Sequence, residues 1–426
     1  MLKRLLALAL STVLVGSLAF TGCGAKKTSE NEKVDLVMTM WGSENDVNIY
    51  NERLENAKKL YPNITVKLNY IPKEYSQKVQ TMIAGGTAPD ILQLAEEVHA
   101  FSSKNQLEPL DDYLKESSLD LDERFGTVYK QYTREGKTYA LPDRGGSMIV
   151  YYNKDLFDKA GVAYPTKDWT WKEMLSAAEK LTVKNGDEVE QWGFAAGTWW
   201  PWWMSFMYQN GGKIFDENGN PVVNSKENIE ALEFYNDLVF KHHVAPSLSD
   251  FANMGDIGPD QLFAQGKLGF EITGFWNIGS LNNVKDINWD IAPIWKNEEN
   301  ATVSFGSGLA MSKSCKHKKE AYKIIEYLTS KEGQMPIVTN KQDAPTNVEV
   351  LNSSEFKNAD WADHEINMNA FNESSNMVFD VPIIPEWNEM LKIFEDNLTE
   401  LFGTNNKSPE EVLNKIQDDL TDLLSN

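Results

Sequence analysis

Cysteine is nearly absent from this 426-residue chain, which has only Cys23 and Cys315. Cys23 closes an N-terminal apolar stretch, so Cys315 stands alone in the body of the chain. That excludes an intramolecular disulfide in the mature protein and leaves burial as the source of stability. Cys315, in "MSKSCKHKKEAY" before a helix, is read as a structural or incidental thiol. Histidine is also scarce, with five residues and no HExxH pair or Cys/His cluster, so neither a metal site nor a cofactor is expected. Positive charge is short. The 41 Lys and Arg against 63 Asp and Glu give a net charge of −22, and no basic stripe appears, which argues against nucleic acid as a partner. There is no G-x-S-x-G elbow and no phosphate-cradling P-loop. Beyond the N-terminus no apolar run is long enough to cross a bilayer. What remains is 41% hydrophobic and 24% charged, the balance of a folded chain, and its length suggests two domains.

The N-terminus combines a basic "MLKR" with the apolar "LLALALSTVLVGSLAF" and the small-residue stretch "TGC". This order resembles the lipobox of bacterial lipoproteins, with Phe20 standing where leucine is usual. Residues 1–22 are therefore expected to be a lipoprotein signal peptide, with Cys23 the lipidated residue. Residues 23–33, "CGAKKTSENEK", read as a flexible tether. The folded part should lie outside the cytoplasmic membrane, held there by lipid. The alternative is an ordinary signal peptide cleaved nearby.

Further on, short apolar runs alternate with helical patterns, the signature of α/β layers. "VDLVMTMW", "ITVKLNYI" and "DILQLA" read as strands, and "DVNIYNERLENAKKLYPN" and "SQKVQTMIAGG" as helices. Thr170 with Glu173, and Ser408 with Glu411, are capping boxes. In the last helix Val412, Leu413, Ile416, Leu420, Leu423 and Leu424 share one face, so it should dock on a core. "DENGNP" has the oxygen ligands of a calcium loop, but Pro221 replaces the glycine of its sharp turn. A hairpin is expected there instead.

One stretch is unusual: "TWWPWW" puts four tryptophans into positions 199–203. They could pack, seek a membrane, or form a platform for a flat-faced ligand. The motifs around them decide. "AGGTAPDILQL", "LEPLDDYL", "GKTYALP", "MIVYYNKDLFDKAG", "DWTWKEMLSAAEKLT", "NGGKIFDENGNP", "LFAQGKLGFEITGFW" and "SGLAMSKSCKHKKEAYKIIEYLTS" occur in the order typical of one family. The chain, over about residues 34–426, resembles extracellular solute-binding proteins of family 1, the maltose-binding-protein-like group serving ABC sugar importers.

That resemblance implies an α/β fold of two lobes joined by hinge crossings, with a ligand cleft between them. Lobe 1 would comprise residues 34–144 plus 309–345, and lobe 2 residues 147–306 plus 350–426. It implies a non-enzymatic, monomeric binder that hands a sugar, preferably an oligosaccharide, to permease subunits. It also places Trp199, Trp200, Trp202 and Trp203 at the cleft wall, one or two facing the ligand and the rest packing behind. Trp276, Asn277, Glu386 and Trp387 join them from the same lobe. An indole covers the apolar C–H face of a pyranose while polar side chains take its hydroxyl rim. From lobe 1, Trp41, Ser43, Glu44, Glu96 and Glu97 lie in loops at strand carboxyl ends, where open α/β sheets bind ligands. Arg144, Ser147, Ser307, Gly308 and Asp343 belong to the crossings, with Arg144 expected to pair with one of those glutamates or to reach the ligand. The tryptophans at 169, 171, 192, 289, 295 and 361 are expected to pack.

Two other readings are carried. Aromatic walls with facing carboxylates would also suit a polyamine or another small solute. Two carboxylates in a sugar cleft could be the acid and nucleophile of a surface glycosidase.

Overall fold

In the computed structural model the described residues are 32–425, apart from 187, 196, 256, 376, 380 and 382–383. The signal peptide and Cys23 lie outside them. Among the described residues no helix is long and apolar enough to cross a membrane.

The chain folds into two α/β lobes. In the first, strand β1 (Val34–Met40), helix α1 (Glu44–Leu60), strand β2 (Ile64–Tyr70), helix α2 (Tyr75–Ala84) and strand β3 (Ile91–Leu94) follow in order. β1 pairs in parallel with both β2 and β3. Short βαβ connections put α1 and α2 on the sheet faces. The apolar runs of β1 and β3 are thus buried on both sides, and Leu36, Met38 and Met40 pack under Leu54 and Ala57 of α1.

Strand β4 (Ala140–Ser147) leaves this lobe, and strand β5 (Ile149–Asn153) opens the second. There helix α3 (Trp171–Leu181), helix α4 (Trp200–Gln209), helix α5 (Lys226–Phe240), strand β6 (Phe270–Thr273), helix α6 (Asn277–Leu281) and strand β7 (Trp289–Ala292) surround β5. β5 is the centre of an antiparallel sheet between β6 and β7. Its two faces feed two cores: Val150 and Tyr152 join one, Ile149 and Tyr151 the other. Period-two alternation with both faces covered makes "MIVYY" an unbroken apolar run.

Strand β8 (Thr302–Met311) returns to the first lobe. It runs antiparallel to β4 from Ser304↔Ser147 to Ala310↔Ala140, and to β3 from Gly308 to Met311. Helix α7 (Lys318–Leu328) and helix α8 (Lys331–Thr339) then cover lobe 1. The chain crosses once more beside β4, where Gly145 N–H donates to the Ala344 carbonyl at 3.1 Å. Three strands of backbone thus connect the lobes. Helix α9 (Trp387–Thr404) and helix α10 (Pro409–Ser425) finish on lobe 2.

Local signals read from sequence appear in place. Both capping boxes form: Glu173 accepts from Thr170 N–H at 3.1 Å, and Glu411 from Ser408 N–H at 2.9 Å. On α10, Val412, Leu413, Ile416 and Leu420 are buried, but Leu424 is exposed. It falls at the edge of the apolar stripe, beside exposed Thr421 and Ser425. In "DENGNP" Asp216 Oδ1 accepts from the N–H groups of Asn218 and Asn220, and a single bridge joins Phe215 to Pro221. The carboxylate is spent on its own turn. Cys315 is buried, and desolvation together with the nearby Asp90 carboxylate pushes its thiol up to about 12.

Candidate functional site

A cavity of about 430 Å³ lies where the two lobes meet the crossings. Its first-lobe wall comes from the carboxyl ends of β1 and β3. Trp41 follows β1 and holds an edge-on contact with Tyr75, ring centroids 4.9 Å apart. Gly42 has φ +138°, and a Cβ there would meet the Asp46 carboxylate at 2.6 Å. That glycine lets the chain turn directly into α1. Ser43 caps α1, its N–H and Oγ both donating to Asp46 Oδ2 at 2.6 and 2.7 Å.

Asp46 is the electrostatic partner of Arg144. Arg144 Nη1 bonds Asp46 Oδ1, and Gln342 Nε2 donates to the same oxygen at 3.0 Å. The guanidinium also stands over the Tyr50 ring, 5.9 Å from its centroid. Burial alone would raise the Asp46 carboxyl, but the Arg144 charge and the Ser43 hydrogen bonds outweigh it and hold the group below the usual range. Burial opposes the charge on Arg144, and Asp46 more than restores it. The cation and its counter-ion are therefore a matched pair within the protein.

Two further carboxyls face the cavity. Burial, with the neighbouring Glu97 charge, pushes Glu96 up to about 8. Asp343 is buried, which pushes it up to about 7 despite Arg144 nearby, and its Oδ1 accepts from Ala344 N–H at 2.8 Å. Near neutral pH these groups are wholly or partly protonated, so each can donate as well as accept hydrogen bonds.

The opposite wall is aromatic. Trp199 is the N-cap of α4 and Trp200 its first residue, with Pro201 next, so both indoles sit at the helix mouth. Trp276 joins them from the turn after β6, and Phe305 from β8. Phe305 contacts Trp199, Trp200 and Trp276 at centroid distances of 5.5, 6.4 and 5.0 Å. A Cβ on Gly274 would lie 1.9 Å from the Trp276 ring. The close approach allowed by that glycine is thus made by the chain's own indole, laid flat over its backbone.

Of the sequence-based candidates, Trp41, Ser43, Glu96, Arg144, Trp199, Trp200, Trp276, Ser307 and Asp343 line this cavity. The others do not. Trp202 folds over Gly197 and donates from Nε1 to the Ile272 carbonyl at 2.8 Å. Trp203, one helical turn into α4, stacks on Phe394 at 4.6 Å in the core. Trp387 is buried edge-on behind Trp200, and Glu386 is the half-buried residue before α9. Asn277 donates to buried Glu271. Glu97 turns back to accept from Ala95 N–H at 3.1 Å. Ser147 and Gly308 are enclosed in the crossing sheet, and Glu44 projects from the exposed first turn of α1. The tryptophans at 169, 171, 192, 289, 295 and 361 are all buried.

Asp46, Phe305 and Gln342 line the cavity without having been singled out. Asp46 carried a signal, lying three residues after Ser43 in the spacing of a capping box. Phe305 shares a strand face with Ser307 by period two. Gln342 had only its place beside Asp343. Arg144 pairs with Asp46 and not with one of the expected glutamates.

The chain matches the bacterial extracellular solute-binding protein family over residues 41–335. It is 24% identical over 373 residues to the arabinooligosaccharide-binding protein of Bacillus subtilis, covering 84% of this chain and 83% of the relative. An ABC substrate-binding protein from Listeria monocytogenes, solved in complex with cycloalternan, superposes with a TM-score of 0.86 at 28% identity. That match covers 92% of this chain and 100% of the other. A maltose-bound T. maritima protein superposes at 0.78 with 22% identity, over 92% of this chain and 100% of that one, and so shares the fold. With the cleft, the three crossings and a match spanning most of its length, this chain belongs to the bacterial extracellular solute-binding protein family.

Proposed function

We propose that this protein captures an uncharged carbohydrate, preferably an oligosaccharide, in the interlobe cavity by hinge closure, and presents it to the permease of an ABC importer. The observation that carries this reading is the pairing of stacking faces with self-neutralised charge. Trp41 stands on one lobe and Trp199, Trp200 and Trp276 on the other, around a cavity whose only lining cation among the described residues is tied to Asp46. Indole faces suit the apolar C–H face of a pyranose, and Glu96 and Asp343, able to donate when protonated and to accept, suit its hydroxyls. An anionic ligand would need a cation not already paired, and Arg144 is paired. A polyamine would need ionised carboxylates, while Glu96 and Asp343 are held up to about 8 and 7. The relative named for arabinooligosaccharide and the structure solved with cycloalternan support the ligand class.

Ligand bridging the two lobes would make contacts available only when they approach, which biases the hinge toward closure. The permease could then distinguish loaded from empty protein. The capture is read as binding without turnover, and the lipobox-like N-terminus supports retention at the outer face of the membrane through lipid on Cys23. Intrinsic tryptophan fluorescence and thermal melting, scanned over mono- and oligosaccharides beside spermidine, test the ligand class. A response confined to spermidine would overturn it. Release of new reducing ends during incubation with oligosaccharide would overturn the non-catalytic reading. Labelling with a radioactive fatty acid, lost in Cys23→Ser, tests the anchor.

A further inference from the structure

Beside the aromatic cavity lies a second depression of different chemistry. It is a groove of about 550 Å³ lined by Glu44, Asn45, Asn48, Gly279, Asn282, Asn283, Asn340, Lys341 and Asp363. Five of the nine are asparagines and none is aromatic. The groove adjoins the cavity through chain neighbours: Ser43 and Glu44, Gly279 and Ser280, Lys341 and Gln342 each place one residue in either space. At the boundary Asn45 Nδ2 donates to Gln342 Oε1 at 2.5 Å, and Gln342 passes the contact to Asp46.

The groove is shared between the lobes. Asn45 and Asn48 stand on the first turns of α1 in lobe 1. Asn282 and Asn283 follow α6 in lobe 2, and Asn340 caps the C-terminus of α8 on lobe 1. Several amides are already fixed in orientation. Asn282 donates to the Trp361 carbonyl at 2.8 Å, and Asn283 to the Gly279 carbonyl at 3.0 Å. An amide that has spent one N–H keeps a second N–H and a carbonyl with two lone pairs. Such groups, held in place beforehand, match a ligand rim that both donates and accepts, at little ordering cost.

Resting on the carbohydrate reading, we infer that this asparagine-lined groove is a second subsite, holding by their hydroxyl rims the additional rings of an oligosaccharide whose first rings stack in the aromatic cavity. The two spaces divide the recognition. Indoles take ring faces in the cavity, and amides take hydroxyls in the groove beside it. Because the groove spans both lobes, a ligand long enough to enter it also adds contacts that favour closure.

The test is calorimetric titration with maltose through maltohexaose and with arabinooligosaccharides of two to six rings. It compares the wild type with the Asn48→Ala/Asn283→Ala double variant, both residues being exposed. Affinity of the wild type should rise about tenfold between two and four rings, the worth of one or two net hydrogen bonds. In the double variant that length ratio should fall toward one. Asn48→Trp, which fills the groove from an exposed helical turn, should reduce the ratio as well. Thermal melting of the free proteins checks that the variants fold. A wild type that binds two rings as tightly as four would overturn the subsite while leaving the carbohydrate reading standing. So would variants that weaken every length equally. No response to any saccharide would overturn both.

Discussion

Asp343 is the sharpest probe of the site's electrostatics. In an unfolded chain its carboxyl has the ordinary value of 3.8, and in the fold burial pushes it up to about 7. Raising the pH from 3.8 to 7 therefore ionises the unfolded chain first, and the folded state loses relative stability until its own carboxyl ionises. Stability tied to this group is fully present below about pH 4 and lost by about pH 7. At 1.36 kcal/mol per unit, the part lost between pH 5 and pH 8.5 is about 3 kcal/mol. Asp343→Asn keeps an oxygen to accept from Ala344 N–H and removes the titration. Chemical denaturation of both proteins at pH 5 and pH 8.5 measures the effect. Relative to wild type, the variant should gain about 3 kcal/mol on going to the higher pH. Parallel behaviour of the two proteins would mean that Asp343 is ionised throughout. The cavity would then carry unmatched negative charge, and a cationic ligand would become the better reading.

Other substitutions separate wall from core. Trp276→Ala should weaken saccharide binding by about 2 kcal/mol, roughly thirtyfold in Kd by calorimetry, because an indole face is lost from the cavity. Trp203→Ala should instead lower folding stability by about 3–5 kcal/mol in denaturant titrations, since its ring stacks in the core on Phe394. Asp46→Asn leaves the buried Arg144 cation without its counter-charge and should cost about 3–5 kcal/mol of stability, read from the denaturation midpoint.

The fold was legible because its signals are local or periodic. β1, β2 and β3 read as apolar runs, and α1 and α2 lie between them where the amphipathic pattern put them. Thr170 and Ser408 announced their helices through residues three positions away. The site was legible in part. Trp199 and Trp203 belong to the same cluster, and their fates differ because the helix begins at Trp200. Residues at its mouth face the cleft, while those one turn later face Phe394. Composition cannot show where that turn begins. Trp387 lies outside the cavity and Phe305 lines it for a similar reason. Trp387 is covered by its own lobe behind Trp200, whereas Phe305 sits on the cavity face of a crossing strand. The Asp46–Arg144 pair joins residues 98 apart in sequence. Only the packing of α1 against β4 brings them together, so no local pattern announces it.

The most direct measurement is a crystal structure of the protein soaked or grown with the saccharide that most raises its melting temperature. One pyranose or furanose ring lying about 4 Å from an indole of Trp199, Trp200 or Trp276, with Trp41 closing from the other lobe, is the expected result. A saccharide bound elsewhere on an open, unoccupied cleft would contradict it.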